Sequence, residues 1–372
     1  MTVSKHKATS GSDTRRVLHM VWNLIRGGTE GQCARVAMAL GHRVVVSRRE
    51  GYFLEAVGAA CGSVYEMKIS RLVGFETLHE VRRLAAFIRD ENFGLIHAWD
   101  ADAAIFGSWA ARIAGVPYIT SRRDLGQIYS SRKALLMNQA DRGASAIVTN
   151  AEAIRRHLFG KSRMVSRVRV IPNILDVDEF DAQAAGKFSR SGELPPGRRV
   201  VMVARLDAEK DGGTFVRAAA KINLPDVSFV VAGDGGEREP LEKLAAGLNL
   251  GSRMKFLGDV TDVPALLREC SVGVLVPKSN EGLSNSILEY MAAGLPVVAT
   301  DCGGNCELVE NKTSGFVVPP GDADAVADSI VRILNNGTGA MGKIGRRRVE
   351  SRHRPEIVAA EFAKLYGEVL RP

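Results

Sequence analysis

Two carboxylates, Glu281 and Glu289, stand with seven residues between them in the stretch "NEGLSNSILEYMAAGLPVVAT" (280–300), around a Ser-Asn-Ser cluster. The apolar run "VGVLVP" just upstream reads as a buried strand, so Pro277 to Leu283 form the loop at its carboxyl end. Ser284 has the side chain of a helix N-cap, and Gly294 followed by Pro296 marks the helix stop. Glu281 therefore falls in the loop. The amides of Leu283, Ser284 and Asn285 fall at the helix N-terminus, where aligned peptide dipoles favour a phosphate. Glu289 lies roughly 7 Å farther along the axis at about 1.5 Å per residue. That spacing suits a sugar nucleotide, with one carboxylate for the sugar, the helix end for the diphosphate and the other carboxylate for the ribose. An ordinary capped helix with one surface glutamate would leave the same letters, so the reading needs support from other loops.

Two loops supply it. "ARLDAEKDG" (204–212) ends another apolar run with Arg205 and, five residues on, Lys210, two cations able to clamp a diphosphate, one as a fork and one as a point charge. "VWNLIRGGTEGQ" (21–32) sets Gly27 and Gly28 after the first apolar run and before a helix start at about Thr29, where glycine lets the backbone approach a ligand. The spacing is not G-x-G-x-x-G, which speaks against a dinucleotide. "VAGDGGERE" (231–239) is a third strand end followed by a glycine-rich turn.

These loops need strands to carry them. Short apolar runs alternate with helical stretches twice along the chain, the signature of βαβ units and parallel sheets. The first half has runs at 16–22, 43–47, 94–98, 117–121, 146–150 and 168–172, with helical stretches at 29–40, 76–90, 101–114 and 150–159. The second has runs at 198–205, 228–233, 253–258, 272–277, 296–300 and 315–319. Residues 173–197 lose the periodicity and read as a linker. The expected fold class is α/β, with two doubly wound, Rossmann-like domains at 14–180 and 181–353 facing a cleft. An amphipathic helix over 354–372 follows. Ligands of such sheets bind beyond the carboxyl ends of the strands, where the loops above lie.

The 372 residues and 45% hydrophobic content suit two soluble cores. The net charge of +8 is uneven: residues 1–180 hold 26 Lys+Arg against 17 Asp+Glu, residues 181–372 hold 24 against 25. A basic first half fits an anionic membrane surface or a phosphorylated substrate, and without aromatic residues among the basic ones nucleic acid is disfavoured. The basic start lacks an apolar signal segment and no run is long enough to cross a bilayer, which leads to a cytoplasmic protein that reaches the inner face of the plasma membrane. Five cysteines, odd in number and without a CxxC pair, read as reduced thiols.

With these residues in place the chain resembles the retaining glycosyltransferases of the GT-B fold, the group 1 or family 4 set. "EGLSNSILE" matches their E-x7-E motif, and "RGGTE" looks like their first glycine loop. "VIPNILDVDEF", "VARLDAEKD" and "AGLPVVATDCGGNCELVENKTSGFVVPPGD" follow in the family's order. The resemblance implies that Arg205 and Lys210 hold the donor diphosphate and that Glu281 meets the transferred sugar, with these three as the catalytic set. It implies that Leu283, Ser284 and Asn285 bind diphosphate through their amides, that Glu289 takes the ribose, that Phe256 borders the nucleobase, and that Gly27 and Gly28 approach donor and acceptor. It further implies a final helix crossing back to the first domain, no cofactor and no metal, a nucleotide-sugar donor, most often of UDP, and a lipid-linked or polysaccharide acceptor. One departure stands out: where relatives carry a T-x-H histidine, this chain reads "ITSRRDLG". His97, Arg122, Arg123 and Asp124 are the acceptor-side candidates. A sugar-nucleotide epimerase of the same fold and a non-catalytic sugar-nucleotide binder are the alternatives.

Overall fold

A computed structural model describes residues 17–69, 74–127 and 129–371. They form two compact units, unit 1 running up to Asn150 with Arg155–Ile174 and the segment from Pro355, and unit 2 holding Ala151–Ile154 and Leu175–Arg354.

Unit 1 is built on β1 (Val17–Val21), β2 (Arg43–Val46), β3 (Tyr65–Glu66), β4 (Leu95–Ala98), β5 (Tyr118–Arg122), β6 (Ala146–Thr149) and β7 (Val168–Val170). Their order is β3-β2-β1-β4-β5-β6-β7, and every pairing is parallel. A parallel sheet is covered on both faces, which is why β1, β4 and β6 read as unbroken apolar runs and are buried at every position. One face is packed by Phe106, Leu84 and Ile88. The other is packed by Cys33, Val36 and Ala37 together with Val358, Phe362, Leu365 and Tyr366 of the final helix, Pro355–Leu370. The expected return of that helix to the first domain holds.

Unit 2 is built on β8 (Arg198–Val203), β9 (Val227–Ala232), β10 (Met254–Gly258), β11 (Val272–Leu275), β12 (Val297–Thr300) and β13 (Gly315–Val318), in the order β10-β9-β8-β11-β12-β13, again all parallel. The order reverses direction between β1 and β4 in unit 1 and between β8 and β11 in unit 2, so each sheet has a crevice at those carboxyl ends.

Several expectations need correction. The stretch read as a linker contains the helix Val177–Ala184, started by Asp176, whose carboxylate accepts from the amides of Asp178 and Glu179. Its exposed face is acidic, which hid the apolar stripe of Val177, Phe180 and Ala184. That helix belongs to unit 2, so the division falls after Ile174 and not after residue 180. The helices Leu54–Cys61 and Ser131–Gly143 and the two-residue strand β3 were not expected. The stretch 150–159 is a single helical turn, Glu152–Ile154, followed by a π-helical turn, Arg155–Phe159.

Candidate functional site

The crevice of unit 2 collects the residues that the E-x7-E spacing singled out. β11 ends at Leu275, and the loop after it runs to the helix Asn285–Ala292, whose N-cap is Ser284 with its hydroxyl accepting from Ile287 N–H. Within the loop Asn280 takes a left-handed φ of 55°, a conformation asparagine tolerates, and Glu281 follows it. The Glu281 side chain is only 9% exposed and is met by Lys210 Nζ at 2.5 Å. Lys210 comes from the short 3-10 turn Ala208–Lys210 in the loop after β8, the strand neighbouring β11. Two loops from adjacent strands therefore converge on one ion pair at the reversal point. The carbonyl of Glu209 also accepts from Lys278 N–H at 2.9 Å, so backbone holds the loops together as well.

Arg205 behaves differently. Its side chain is 78% exposed, in contact with Asp207 at 2.9 Å, and is free to swing onto an anion. Glu289 is half-buried on the helix, about 6 Å of axial rise beyond Asn285. Leu283 and Ser284 are buried and Asn285 is half-buried, with their amides at the helix start. Phe256 lies on β10, the edge strand, partly buried against the unit 2 core.

Four residues shape this site and carried no role in the sequence reading. Tyr290 is fully buried, and its hydroxyl bridges β8 and β11. Gly303, at φ 57°, sits so close under Glu281 that any Cβ would strike the Glu281 carbonyl. Gly233 presses on the Ala204 carbonyl in the same way, which fixes the "GDGG" turn against the Arg205 loop. Glu307 grips the amides of Glu152 and Ala153 at 2.9 and 2.7 Å, drawing Ala151–Ile154 into unit 2. Its position after the "GG" pair was visible, but its partners lie about 150 residues away and leave no local pattern.

In unit 1, Gly27 is the N-cap of the helix Gly28–Leu40, and a side chain there would collide with the Glu30 carboxylate. The acceptor-side candidates separate. His97 is fully buried, with Nδ1 bonded to the Tyr366 hydroxyl at 2.7 Å and Nε2 to Ser121 Oγ at 2.9 Å, so it is a core histidine holding the final helix and leaves the set. Arg122 closes on Asp141 through Nε and Nη2 at 2.8 and 2.6 Å and also leaves it. Asp124 accepts from Gly126 N–H and the Tyr129 hydroxyl, at 2.7 and 2.6 Å. Arg123 remains half-buried, its guanidinium 4.4 Å over the Trp99 ring.

Residues 31–179 match the family model described as Glycosyltransferase Family 4, and residues 197–336 match that described as Glycosyl transferases group 1. Among curated relatives, the UDP-Gal:alpha-D-GlcNAc-diphosphoundecaprenol alpha-1,3-galactosyltransferase of Escherichia coli is 29% identical over 273 residues, 68% of this chain and 69% of that protein. The 2-deoxystreptamine glucosyltransferase of Streptomyces kanamyceticus is 28% identical over 343 residues, 80% of this chain and 86% of that protein. The phosphatidyl-myo-inositol mannosyltransferase of Mycobacterium leprae is 26% identical over 339 residues, 85% and 84%. In fold the chain is similar to Anabaena HepE in complex with UDP and glucose, with a TM-score of 0.84 at 22% identity over 95% of this chain and 99% of that one.

Proposed function

The chain belongs to the group 1, family 4 glycosyltransferases, and from that premise we propose that it moves a hexose from a UDP-sugar to a hydroxyl of a lipid-linked or polysaccharide acceptor with retention at the anomeric carbon. The observation that carries the donor reading is the Lys210–Glu281 pair at the β8/β11 reversal, beside the start of the helix Asn285–Ala292. UDP is supported by the named donor of the Escherichia coli relative and by the UDP held in HepE. A lipid-linked acceptor is supported by the names of the Escherichia coli and Mycobacterium leprae relatives.

On this reading Arg205 swings from Asp207 onto the diphosphate, and Lys210 joins it there while holding Glu281 in place. The amides of Leu283 to Asn285 take the remaining phosphate oxygens. Glu281 faces the sugar, where positive charge grows as the bond to the diphosphate lengthens, and Glu289 takes the ribose. Retention follows from front-side attack: the leaving diphosphate accepts the proton of the attacking hydroxyl, so no separate base is called for. The cations and the helix end stabilise the departing charge, work that a divalent ion does elsewhere, and the reading therefore includes activity without metal. No helix among the described residues is long and apolar enough to cross a membrane. Contact with an anionic bilayer would be made by the basic first half.

A thermal-shift screen against UDP, GDP and their sugars, followed by NMR of the products, tests the proposal. A shift with UDP-hexoses and an α-linked product from an α-linked donor is expected. An epimerised free sugar nucleotide, binding without turnover in the presence of lipid-linked and polysaccharide acceptors, or activity abolished by EDTA and restored by magnesium would overturn the respective part.

A further inference from the structure

We propose that Arg123 anchors an anion site in unit 1 that takes a phosphate or carboxylate group of the acceptor, an assignment that rests on the glycosyl-transfer reading for the identity of its ligand. Arg123 follows β5 directly, and its neighbours Trp99, Asn150 and Asn173 come from the segments following β4, β6 and β7, all at the carboxyl edge of the sheet. The guanidinium is stacked on Trp99 and donates Nη1–H to Asn173 Oδ1 at 2.8 Å. No carboxylate among the described residues lies within ion-pair distance of it, and its Nε is buried without a hydrogen-bond partner. Arg122, one residue earlier, shows the usual arrangement for a buried guanidinium, closed on Asp141.

The surroundings make the missing counter-charge matter. Burial pushes the Arg123 pKa down to about 10, and the groups that push it back up are the Cys33 thiol and the Tyr366 phenol. Burial raises both of those above their ordinary values, so neither carries charge at neutral pH. A cation drawn out of water with no anion beside it is costly, and such a charge is retained where a ligand supplies the partner. The residue as a whole is half-buried rather than sealed in the core.

Hydrogen-bond directions narrow the ligand further. Arginine only donates, so the Asn173 atom it meets is the oxygen. Asn150 then gives its amide hydrogen to the same oxygen at 3.2 Å, which leaves its own Oδ1 buried and without a partner. The site thus offers a guanidinium fork beside an amide oxygen. This combination fits an anionic group whose neighbouring atom carries a hydroxyl, as on a sugar phosphate or a uronic acid.

The test is thermal unfolding of the full chain in sodium phosphate or sodium acetate against sodium chloride at matched ionic strength. Wild type should be stabilised by at least one of the two, by about 3 °C at a concentration some tenfold above its Kd. Arg123→Gln should weaken that response by about tenfold or more in apparent affinity, the loss of a charge-assisted pair. Lys243→Ala, which removes an exposed lysine of unit 2 paired with Glu239, should keep it. A response to phosphate alone assigns a phosphorylated acceptor, and one to acetate alone a carboxylated one. A full response in Arg123→Gln, or none in wild type to either anion, overturns the proposal. Arg123→Lys, which keeps charge without the fork, should fold and respond weakly; failure of both variants to fold would make the guanidinium a structural group and also overturn it. UDP added to the same samples reports on the donor reading separately, since a wild type that answers phosphate but no nucleotide leaves Arg123 in place and removes the donor assignment.

Discussion

The Tyr290 hydroxyl accepts the backbone N–H of Val203 at 2.6 Å and donates to the Val274 carbonyl at 3.3 Å, so one phenol stands between β8 and β11 where those strands stop pairing. Their ladder joins only Val200 with Val272 and Val201 with Gly273, after which they diverge. The divergence opens the crevice into which Lys210 and Glu281 project, and without the phenol it would leave an amide and a carbonyl unpaired. Gly273 is required beneath the ring, since any Cβ there would collide with it.

Tyr290→Phe keeps the ring and removes only the bridge. Val203 N–H would then be left without its partner, which should lower stability by roughly 1–3 kcal/mol in urea unfolding. Gly273→Ala should cost at least as much, because the ring has no room to move in a packed core. A Phe variant as stable as wild type would show that the crevice does not depend on the bridge.

Arg205 and Lys210 should separate in stability although both are proposed to serve the diphosphate. Lys210→Ala leaves Glu281 nearly buried and unpaired, at a cost of roughly 2–3 kcal/mol. Arg205→Ala removes an exposed side chain and should stay within about 0.5 kcal/mol of wild type. Each should weaken UDP binding by about 1.5–3 kcal/mol by calorimetry, the scale of a charge-assisted hydrogen bond. Unchanged UDP affinity in both variants would remove them from the site.

The strands and some of the helices between them were legible because a parallel sheet buried on both faces demands continuous apolar runs, and all six runs of the second half became strands. The loop position of Glu281 and the Ser284 cap were legible for the same local reason. Pairing across loops was not. Sequence assigned Lys210 to phosphate and Glu281 to sugar, whereas the structure bonds them to each other across 71 residues. The helix Val177–Ala184 was hidden by its acidic face, and Tyr290 by the ordinary look of an aromatic residue on an apolar helix stripe. His97 looked chemical by type; Tyr366, which holds it, lies 269 residues away.

Glu281 and Glu289 should differ in kinetics. An interaction that strengthens in the transition state lowers turnover when removed, whereas uniform binding chiefly raises KM. Glu281→Gln should cut kcat by about a hundredfold or more, typical of losing a stabilising group at the reacting centre. Glu289→Gln should mainly raise the donor KM. Equal, small effects of both in folded protein would return the stretch to an ordinary capped helix.

The last prediction concerns acid. Trp99 donates Nε1–H to His19 Nδ1 at 2.8 Å, and an indole can only donate, so His19 Nδ1 is an acceptor. His19 Nε2 then donates to His42 Nδ1 at 3.0 Å, a chain that holds only while His19 is neutral. His97, Tyr366 and Trp99 surround the same ring. Burial, then His42 and His97, hold the His19 pKa well below its ordinary value; burial, then Arg123 and His42, do the same for His97. Both bases are therefore harder to protonate folded than unfolded. Their contribution is intact above the unfolded pKa of about 6.5 and is lost as pH falls below it, at about 1.4 kcal/mol per pH unit for each. Asp100 opposes them. Burial first raises its pKa to about 6, so it takes up a proton folded before unfolded and adds some stability as pH falls. From pH 7.5 to 5.5 the two histidines should remove more stability than Asp100 returns, a net loss read by urea unfolding. His19→Gln should flatten that dependence by about half. A stability unchanged between the two pH values, or a variant with the full wild-type slope, would show that the buried ring does not set the acid response.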